Sequence, residues 1–348
     1  CTRYQRREDQ PVSAPAGRFA PSATPGSGRF APSPSSDLHL GNLRTALLSW
    51  LFARSTGLDF VVRIEDLDQQ RVAAAPAVAA RQLDDLASLG LDWDGDVVRQ
   101  SDRLDRYADA VARLPHYECF CSRREIAEAA SAPHADGHRP YPGTCRSLSE
   151  ADRAARRAVR APALRVDAGA PPPVVTAHDV WAGAVTGEVD DFVLRRGDGA
   201  YAYNLAVVVD DLAQGVDQVV RGDDLLASSP RQAWLIGRLG GRPPEYAHVP
   251  LVVNAMGVRL AKRDGAVTLA DLAALGRGAG DVLSLLGWSL GLNAPEERVT
   301  PGTLLTRWAP AALPRGRWAF PPAAGGWPSG LTDPGHGYLT DGVVLAPI

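Results

Sequence analysis

Gly28-Arg29-Phe30-Ala31-Pro32-Ser33-Pro34-Ser35-Ser36-Asp37-Leu38-His39-Leu40-Gly41-Asn42 is the stretch that decides how the chain is read. It starts as a short apolar strand, breaks at Pro32 and Pro34, and re-enters order at His39. The apolar run from Leu43 to Ala53 then predicts a helix. A strand, a turn and a helix with glycine at its mouth form a phosphate-binding geometry. The first helical N–H groups lack intrahelical acceptors, and the helix dipole there favours anions. His39 and Asn42 add side-chain donors at the same mouth. His-x-Gly alone is a weak pattern, so its meaning depends on the rest of the chain.

Downstream, Leu58 to Ile64 reads as a buried strand that runs directly into Glu65-Asp66-Leu67-Asp68. Carboxylates at the C-terminal end of a parallel strand sit where open α/β sheets bind ligands. Pro76 opens an amphipathic helix, and a second helix is expected from Arg103 to Leu114. Arg196-Gly197-Asp198-Gly199 has hairpin-turn chemistry, and a helix containing Val207 to Leu212 follows. Gln218-Val219-Val220 is a strand ending in Arg221-Gly222-Asp223-Asp224, which brings an arginine to the crevice that Glu65 faces. A helix from Ser229 to Leu239, a strand from His248 to Val252, a helix at Leu283–Leu290 and another holding Trp308 complete the series. The alternation predicts an α/β fold with a doubly wound parallel sheet of Rossmann type.

At 348 residues the chain has room for two or three domains. Its net charge of −3 rules out a global basic field, so any RNA contact must use a local patch. No apolar run reaches the roughly 18 residues of a membrane span, and Arg3, Arg6, Arg7 and Glu8 are not followed by an apolar core. A cytoplasmic location is expected. Of 37 basic residues, Lys262 is the lone lysine, in the glycine-bounded loop Met256–Gly265. A compact, mobile ammonium can follow a migrating phosphate charge where a planar guanidinium would be held elsewhere.

Three of the four cysteines cluster as Cys119-Phe120-Cys121 and Cys145. In an intracellular chain such spacing points to a metal more than to a disulfide. Zinc takes four ligands; the fourth could be His116, His134, His138 or Tyr141, and on spacing alone a histidine is the default. The expected organisation is a disordered tail at 1–27 and the first half of the catalytic domain at 28–116. A zinc-bearing insertion follows at 117–190, the second half at 191–255, a lysine-loop and helical region at 256–322, and a flexible tail at 323–348.

Arg29-Phe30-Ala31-Pro32-Ser33-Pro34 with His39-Leu40-Gly41-Asn42, Arg63-Ile64-Glu65-Asp66-Leu67-Asp68, Val208-Val209-Asp210-Asp211, Arg221-Gly222-Asp223 and Leu260-Ala261-Lys262-Arg263 occur in one order. That order resembles the catalytic half of class I glutamyl-tRNA synthetases over roughly residues 28–295. Within this family the chain is most similar to the glutamyl-queuosine tRNA(Asp) synthetases, truncated paralogues without an anticodon-binding domain. The chain stops soon after the Lys262 loop and its helices. Its Cys-x-Cys…Tyr-x-x-x-Cys pattern resembles the paralogues' zinc site, which moves the expected fourth ligand to Tyr141. Val207 stands where glutamyl-tRNA synthetases resemble one another in having asparagine, which implies looser glutamate binding.

The resemblance implies a ligase that activates glutamate with ATP and Mg²⁺ and passes it to queuosine, the wobble base of tRNA(Asp). His39, Gly41, Asn42, Leu260 and Lys262 would hold ATP, with His39, Gly41 and Lys262 acting in catalysis. Arg29 and Arg221 would clamp the side-chain carboxylate of glutamate, and Glu65 and Tyr203, with backbone near Ala31 and Ser33, would take its ammonium end. Cys119, Cys121, Tyr141 and Cys145 would hold one structural Zn²⁺. The family's loop motif is Lys-Met-Ser-Lys-Ser; Arg259 and Ala261 replace its first lysine and its serine here. Arg123, Arg124, Arg139 and Arg146 are candidate phosphate contacts. A monomer is expected. The alternatives are a short glutamyl-tRNA synthetase charging tRNA(Glu), a small-molecule adenylyltransferase sharing His-x-Gly, and a non-catalytic zinc-bearing RNA-binding module.

Overall fold

The computed structural model describes residues 26–68, 75–122, 124–126, 140–254, 256–258, 260 and 267–320, with short backbone segments at 339–340 and 343–344. Lys262, Arg259, Ala261, His134, His138, Arg123, Arg139 and most of the two terminal segments lie outside the described residues.

The first half of the chain contributes β1 (Ser27–Phe30), α1 (Leu40–Ser55), β2 (Asp59–Ile64), α2 (Ala75–Ser88), β3 (Val98–Arg99) and α3 (Leu104–Ala112). The middle supplies β4 (His116–Cys119), α4 (Glu150–Arg157), β5 (Ala163–Val166), β6 (Val174–Asp179), β7 (Gly183–Glu188) and β8 (Val193–Arg195). Then come α5 (Tyr203–Ala213), β9 (Val216–Gly222), α6 (Ser229–Arg238), β10 (Glu245–Val249) and β11 (Val252–Val253). The C-terminal part holds α7 (Leu269–Ala274), α8 (Ala279–Trp288), α9 (Pro301–Thr306) and β12 (Trp318–Ala319). Trp308 falls just past α9, not in a helix, because that helix ends at Thr306.

The main sheet has the order β3-β2-β1-β9-β10-β6-β7, parallel throughout except for the antiparallel β6–β7 hairpin. From β1 the chain moves outward to β2 and β3 on one side, and later returns to β9 and β10 on the other. That reversal between β1 and β9 is a topological switch point, which opens a crevice at the C-terminal strand ends. A separate antiparallel sheet, β4-β5-β8, carries the cysteines. The pairing therefore cuts across the expected boundary at 190: β6 and β7 leave the insertion to extend the catalytic sheet, while β8 joins the small sheet. Alternation marks a strand but does not name its partner.

Helix α1 is buried on nearly every side, from Leu40 and Leu43 through Leu51 and Ala53. It shares one core with Phe60 and Ile64 of β2 and with Leu283, Leu286 and Leu304 of the C-terminal helices. Its start is fixed by a reciprocal cap: His39 Nδ1 accepts from the Gly41 N–H at 3.1 Å, and Asn42 Oδ1 accepts from the His39 N–H at 3.3 Å. A Cβ at Gly41 would lie 2.9 Å from His39 Cε1, so any side chain there would push the capping imidazole out of place.

Candidate active site

A cavity of about 1250 Å³ opens at the switch point. Arg29, Ala31, Ser33, His39, Gly41, Asn42, Glu65, Tyr203, Arg221 and Leu260 all line it, so every described residue expected to hold glutamate or ATP meets there. Lys262 lies outside the described residues. The cavity also reaches Cys119 and Cys121 of the cysteine module.

The strands dictate this convergence. Arg29 stands near the end of β1, Arg221 near the end of β9, and Glu65 immediately after β2. Arg29 is 4% exposed; its Nη1 donates to the Val220 carbonyl at 3.2 Å. Its Nε lies 3.5 Å from Asp211 Oδ1 and has no hydrogen-bond partner among the described residues. Glu65 accepts from Arg63 Nη2 at 3.2 Å, and its own N–H donates to the Pro32 carbonyl at 2.9 Å. Burial raises the Glu65 carboxyl above its ordinary range, against the pull of Arg63 and Arg29.

Beneath these residues lies a charged cluster from the third quoted motif. Arg63 donates to Asp211 at 2.7 Å and to Gln214 Oε1 at 2.9 Å. Asp210, with no exposed surface, accepts from Gln100 at 2.9 Å, Arg103 at 2.6 Å and Tyr107 at 2.8 Å. Burial would lower the Arg63 pKa, but Asp211, Glu65 and Asp210 outweigh it and raise the value.

Arg221 is 5% exposed and all its donors are occupied. Nε donates to His248 Nε2 at 2.9 Å, Nη1 to Gln232 Oε1 at 2.7 Å and to the Tyr203 hydroxyl at 3.5 Å. Nη2 donates to Ser229 Oγ at 3.1 Å and to the Leu225 carbonyl at 3.3 Å. Tyr203 is 41% exposed and forms the open side of this arrangement. Ser229, Gln232 and His248 were not among the expected site residues. The one signal for His248 is its two-residue spacing from Tyr246, which puts both on one face of β10.

Val207 does not meet the cavity. It is 1% exposed and packs with Leu205, Val208 and Leu235 in a second apolar core. The expectation of looser glutamate binding from valine here is not supported by that position, because Tyr203 opens α5 at the cavity and Val207 lies a turn further along the helix.

In the cysteine module, Cys119, Cys121 and Cys145 place their sulfurs within 4.8 Å of one another. The Tyr141 hydroxyl lies 3.4 Å from Cys119 Sγ and 3.6 Å from Cys121 Sγ, and it accepts from the Cys145 N–H at 2.9 Å. The Arg165 guanidinium covers the Tyr141 ring at 3.8 Å. Burial pushes the Cys121 thiol up to about 12, so a cation is the natural means of holding it as a thiolate. His116, the one described histidine among the candidate fourth ligands, instead bonds the Leu114 carbonyl at 2.8 Å. This group could hold a metal.

Among the described residues no helix is long and apolar enough to cross a membrane.

Residues 27–290 match the family described as tRNA synthetases class I (E and Q), catalytic domain. The chain is 59% identical over 298 residues to a glutamyl-Q tRNA(Asp) synthetase of Nocardia farcinica, covering 84% of this chain and 92% of that one. It is 60% identical over 265 residues to the protein of the same name from Cutibacterium acnes, covering 76% of each. Among solved structures, glutamate-tRNA synthetase from Elizabethkingia anophelis superposes with a TM-score of 0.70 at 24% identity, over 85% of this chain and 68% of that one. With residues of four of the ordered motifs lining one crevice and relatives of this closeness, the chain belongs to the class I glutamyl and glutaminyl tRNA synthetase family, and within it to the glutamyl-Q tRNA(Asp) synthetases.

Proposed function

We propose that this chain activates glutamate with ATP to glutamyl-adenylate, expelling pyrophosphate, and transfers the glutamyl group to the queuosine base at the wobble position of tRNA(Asp). The observation that carries the reading is the shared cavity. Two buried arginines and one carboxylate face the space that the His39–Gly41 helix mouth also borders. A dicarboxylic amino acid and a triphosphate need this combination of charges.

In this reading Arg29 and Arg221 bind the side-chain carboxylate, Arg221 through its positive charge and by exchanging the 3.5 Å contact of Nη1 with Tyr203 for a substrate oxygen. Glu65 and Tyr203 take the ammonium, with backbone near Ala31 and Ser33. Glutamine lacks the charge and is rejected by roughly 2–5 kcal/mol, the loss when a buried charge goes unpaired. His39 and the mouth of α1 seat the ATP phosphates together with Asn42 and Leu260, and Mg²⁺ accompanies ATP as a charge bridge. Because Nδ1 of His39 already accepts from Gly41, the imidazole offers Nε2–H to a phosphate oxygen. Lys262 follows the pyrophosphate. In-line placement and charge neutralisation supply the rate enhancement.

Zn²⁺ fits the cysteine module. Tetrahedral zinc places sulfur ligands about 3.8 Å apart and an oxygen ligand about 3.5 Å from each sulfur. Here Cys121 and Cys145 are 3.5 Å apart, and Tyr141 is 3.4 and 3.6 Å from two sulfurs. Cys119, Cys121, Tyr141 and Cys145 would hold the ion, whose role is to fix the fold of the insertion. Metal analysis of the purified protein should return one zinc per chain.

Glutamate-dependent ATP–pyrophosphate exchange tests the first step, and glutamyl transfer to tRNA(Asp) from queuosine-replete and queuosine-deficient cells tests the second. Exchange with glutamate, and transfer to the replete tRNA alone, are expected. Charging of tRNA(Glu), or transfer to queuosine-deficient tRNA, would overturn the assigned acceptor.

A further inference from the structure

Arg221 differs from the buried Arg29 and Arg63 beside it in one respect. All of its hydrogen-bond acceptors are neutral, and among the described residues no carboxylate forms an ion pair with it. An acid does stand behind it, on the far side of an imidazole. Asp179 accepts from the His248 ring at Nδ1 over 2.7 Å and from the His248 N–H over 2.9 Å. Both His248 and Asp179 are buried.

Sheet register brings the three together. Arg221 on β9 and His248 on β10 are directly paired parallel-strand partners. Asp179 ends β6, where it pairs with Tyr246, two residues before His248. Tyr246 stacks on the His248 ring at 5.9 Å between centroids, and the Arg221 guanidinium lies 5.4 Å from the Tyr246 ring centre. The ring is therefore held on both edges and one face.

The hydrogen bonds settle its tautomer. With the proton on Nδ1 directed at Asp179, Nε2 carries the lone pair and accepts from Arg221 Nε. A second proton would set N–H against N–H. The groups around the ring are Asp179 of β6, Arg221 of β9, Tyr246 of β10 and Ser229 of α6, with Arg29 of β1 adding positive potential and Asp223, just after β9, adding negative potential. Burial and the two arginines keep the imidazole below its ordinary range, against the pull of Asp179.

We infer that His248 is a positioning residue for glutamate recognition: as a neutral imidazole between Asp179 and Arg221, it locks the guanidinium while keeping the carboxylate from neutralising it. The arginine's charge is thereby left for the side-chain carboxylate of the substrate. A direct Asp179–Arg221 pair would fix the guanidinium equally well and cancel the attraction the site needs. The inference rests on the glutamate reading of the cavity.

Steady-state pyrophosphate exchange on the full chain, with glutamate and ATP varied separately, tests it. His248→Ala should raise KM for glutamate about ten- to a hundred-fold, the loss of a hydrogen bond to a charged group. The ATP KM and kcat should stay within about twofold, a split that general misfolding would not produce. His248→Gln and His248→Glu form a matched pair of similar size, which decides the matter even where the alanine variant fails to fold. The glutamine amide still accepts from Arg221 and should stay within about threefold of wild type, whereas the glutamate carboxylate accepts too but neutralises the cation and should lose glutamate binding at least about tenfold. Equal glutamate KM values for the Gln and Glu variants, or parallel loss of ATP and glutamate binding in all three, would overturn the inference alone. Absence of glutamate-dependent exchange in the wild-type protein would overturn the reading of the site and the inference with it.

Discussion

Two buried arginines near one cavity are treated in opposite ways. Arg63, with no exposed surface, stands among Asp211, Asp210 and Glu65. Arg221, almost as buried, is surrounded by a ring nitrogen, an amide oxygen, two hydroxyls and a carbonyl. A compensated cation is a structural rivet, and its charge is spent within the protein. Arg221, which faces the cavity without a paired carboxylate among the described residues, is the anion seat of the proposed reading. Burial without a carboxylate does not suffice, as Arg44 shows. It lies away from the cavity, donates to Ser289 and to the Pro250 carbonyl, and satisfies the C-terminal end of α8. Desolvation there lowers its pKa to about 10.

Breaking the rivet should have the largest effect. Asp210→Ala leaves Arg103 and Arg63 without their shared carboxylate, and urea denaturation should show a loss of about 3–5 kcal/mol. Arg221→Gln should act on the other side of the comparison: glutamate activation falls by about 2–5 kcal/mol in exchange kinetics, with a smaller change in urea midpoint than Asp210→Ala. A larger stability loss at Arg221 than at Asp210 would erase the distinction between seat and rivet.

Val207 sharpens the same point from the apolar side. Val207→Asn sets an amide among buried aliphatic side chains, so it should cost about 1–3 kcal/mol of stability and leave glutamate KM unchanged. Tighter glutamate binding by this variant would return position 207 to the site.

The pH dependence of stability is the finest of these tests. Unfolded histidine binds a proton at about 6.5, and buried His248 binds it only at lower pH. Below about 6.5 the unfolded state therefore holds more protons, and stability falls as pH falls, by at most about 1.4 kcal/mol per pH unit from this group, until the folded pKa is passed. His248→Gln should flatten that slope in thermal melts between neutral and mildly acidic pH.

Much of the site was legible beforehand because its residues sit at places local chemistry marks. Arg29 and Arg221 end apolar strands, Glu65 follows one, and His39 and Gly41 open a helix. The row behind them was not legible. Asp179 lies on a hairpin read as part of the insertion, and a strand's sequence pattern is the same whichever sheet it joins. Gln232 and Ser229 lie on α6, where polar residues read equally well as a solvated helix face.

The linear order of residues by itself determined the alternation of strands and helices, the capped mouth of α1, the thiol set with Tyr141 as one candidate fourth ligand, and the family. These depend on contacts a few residues apart, or on motifs that keep their order. Only the tertiary structure decided that β6 lies beside β10, that Val207 is core, and that no carboxylate among the described residues pairs with Arg221. Pairing across the sheet and electrostatic compensation arise between residues far apart along the chain, and no local pattern encodes which of them will meet.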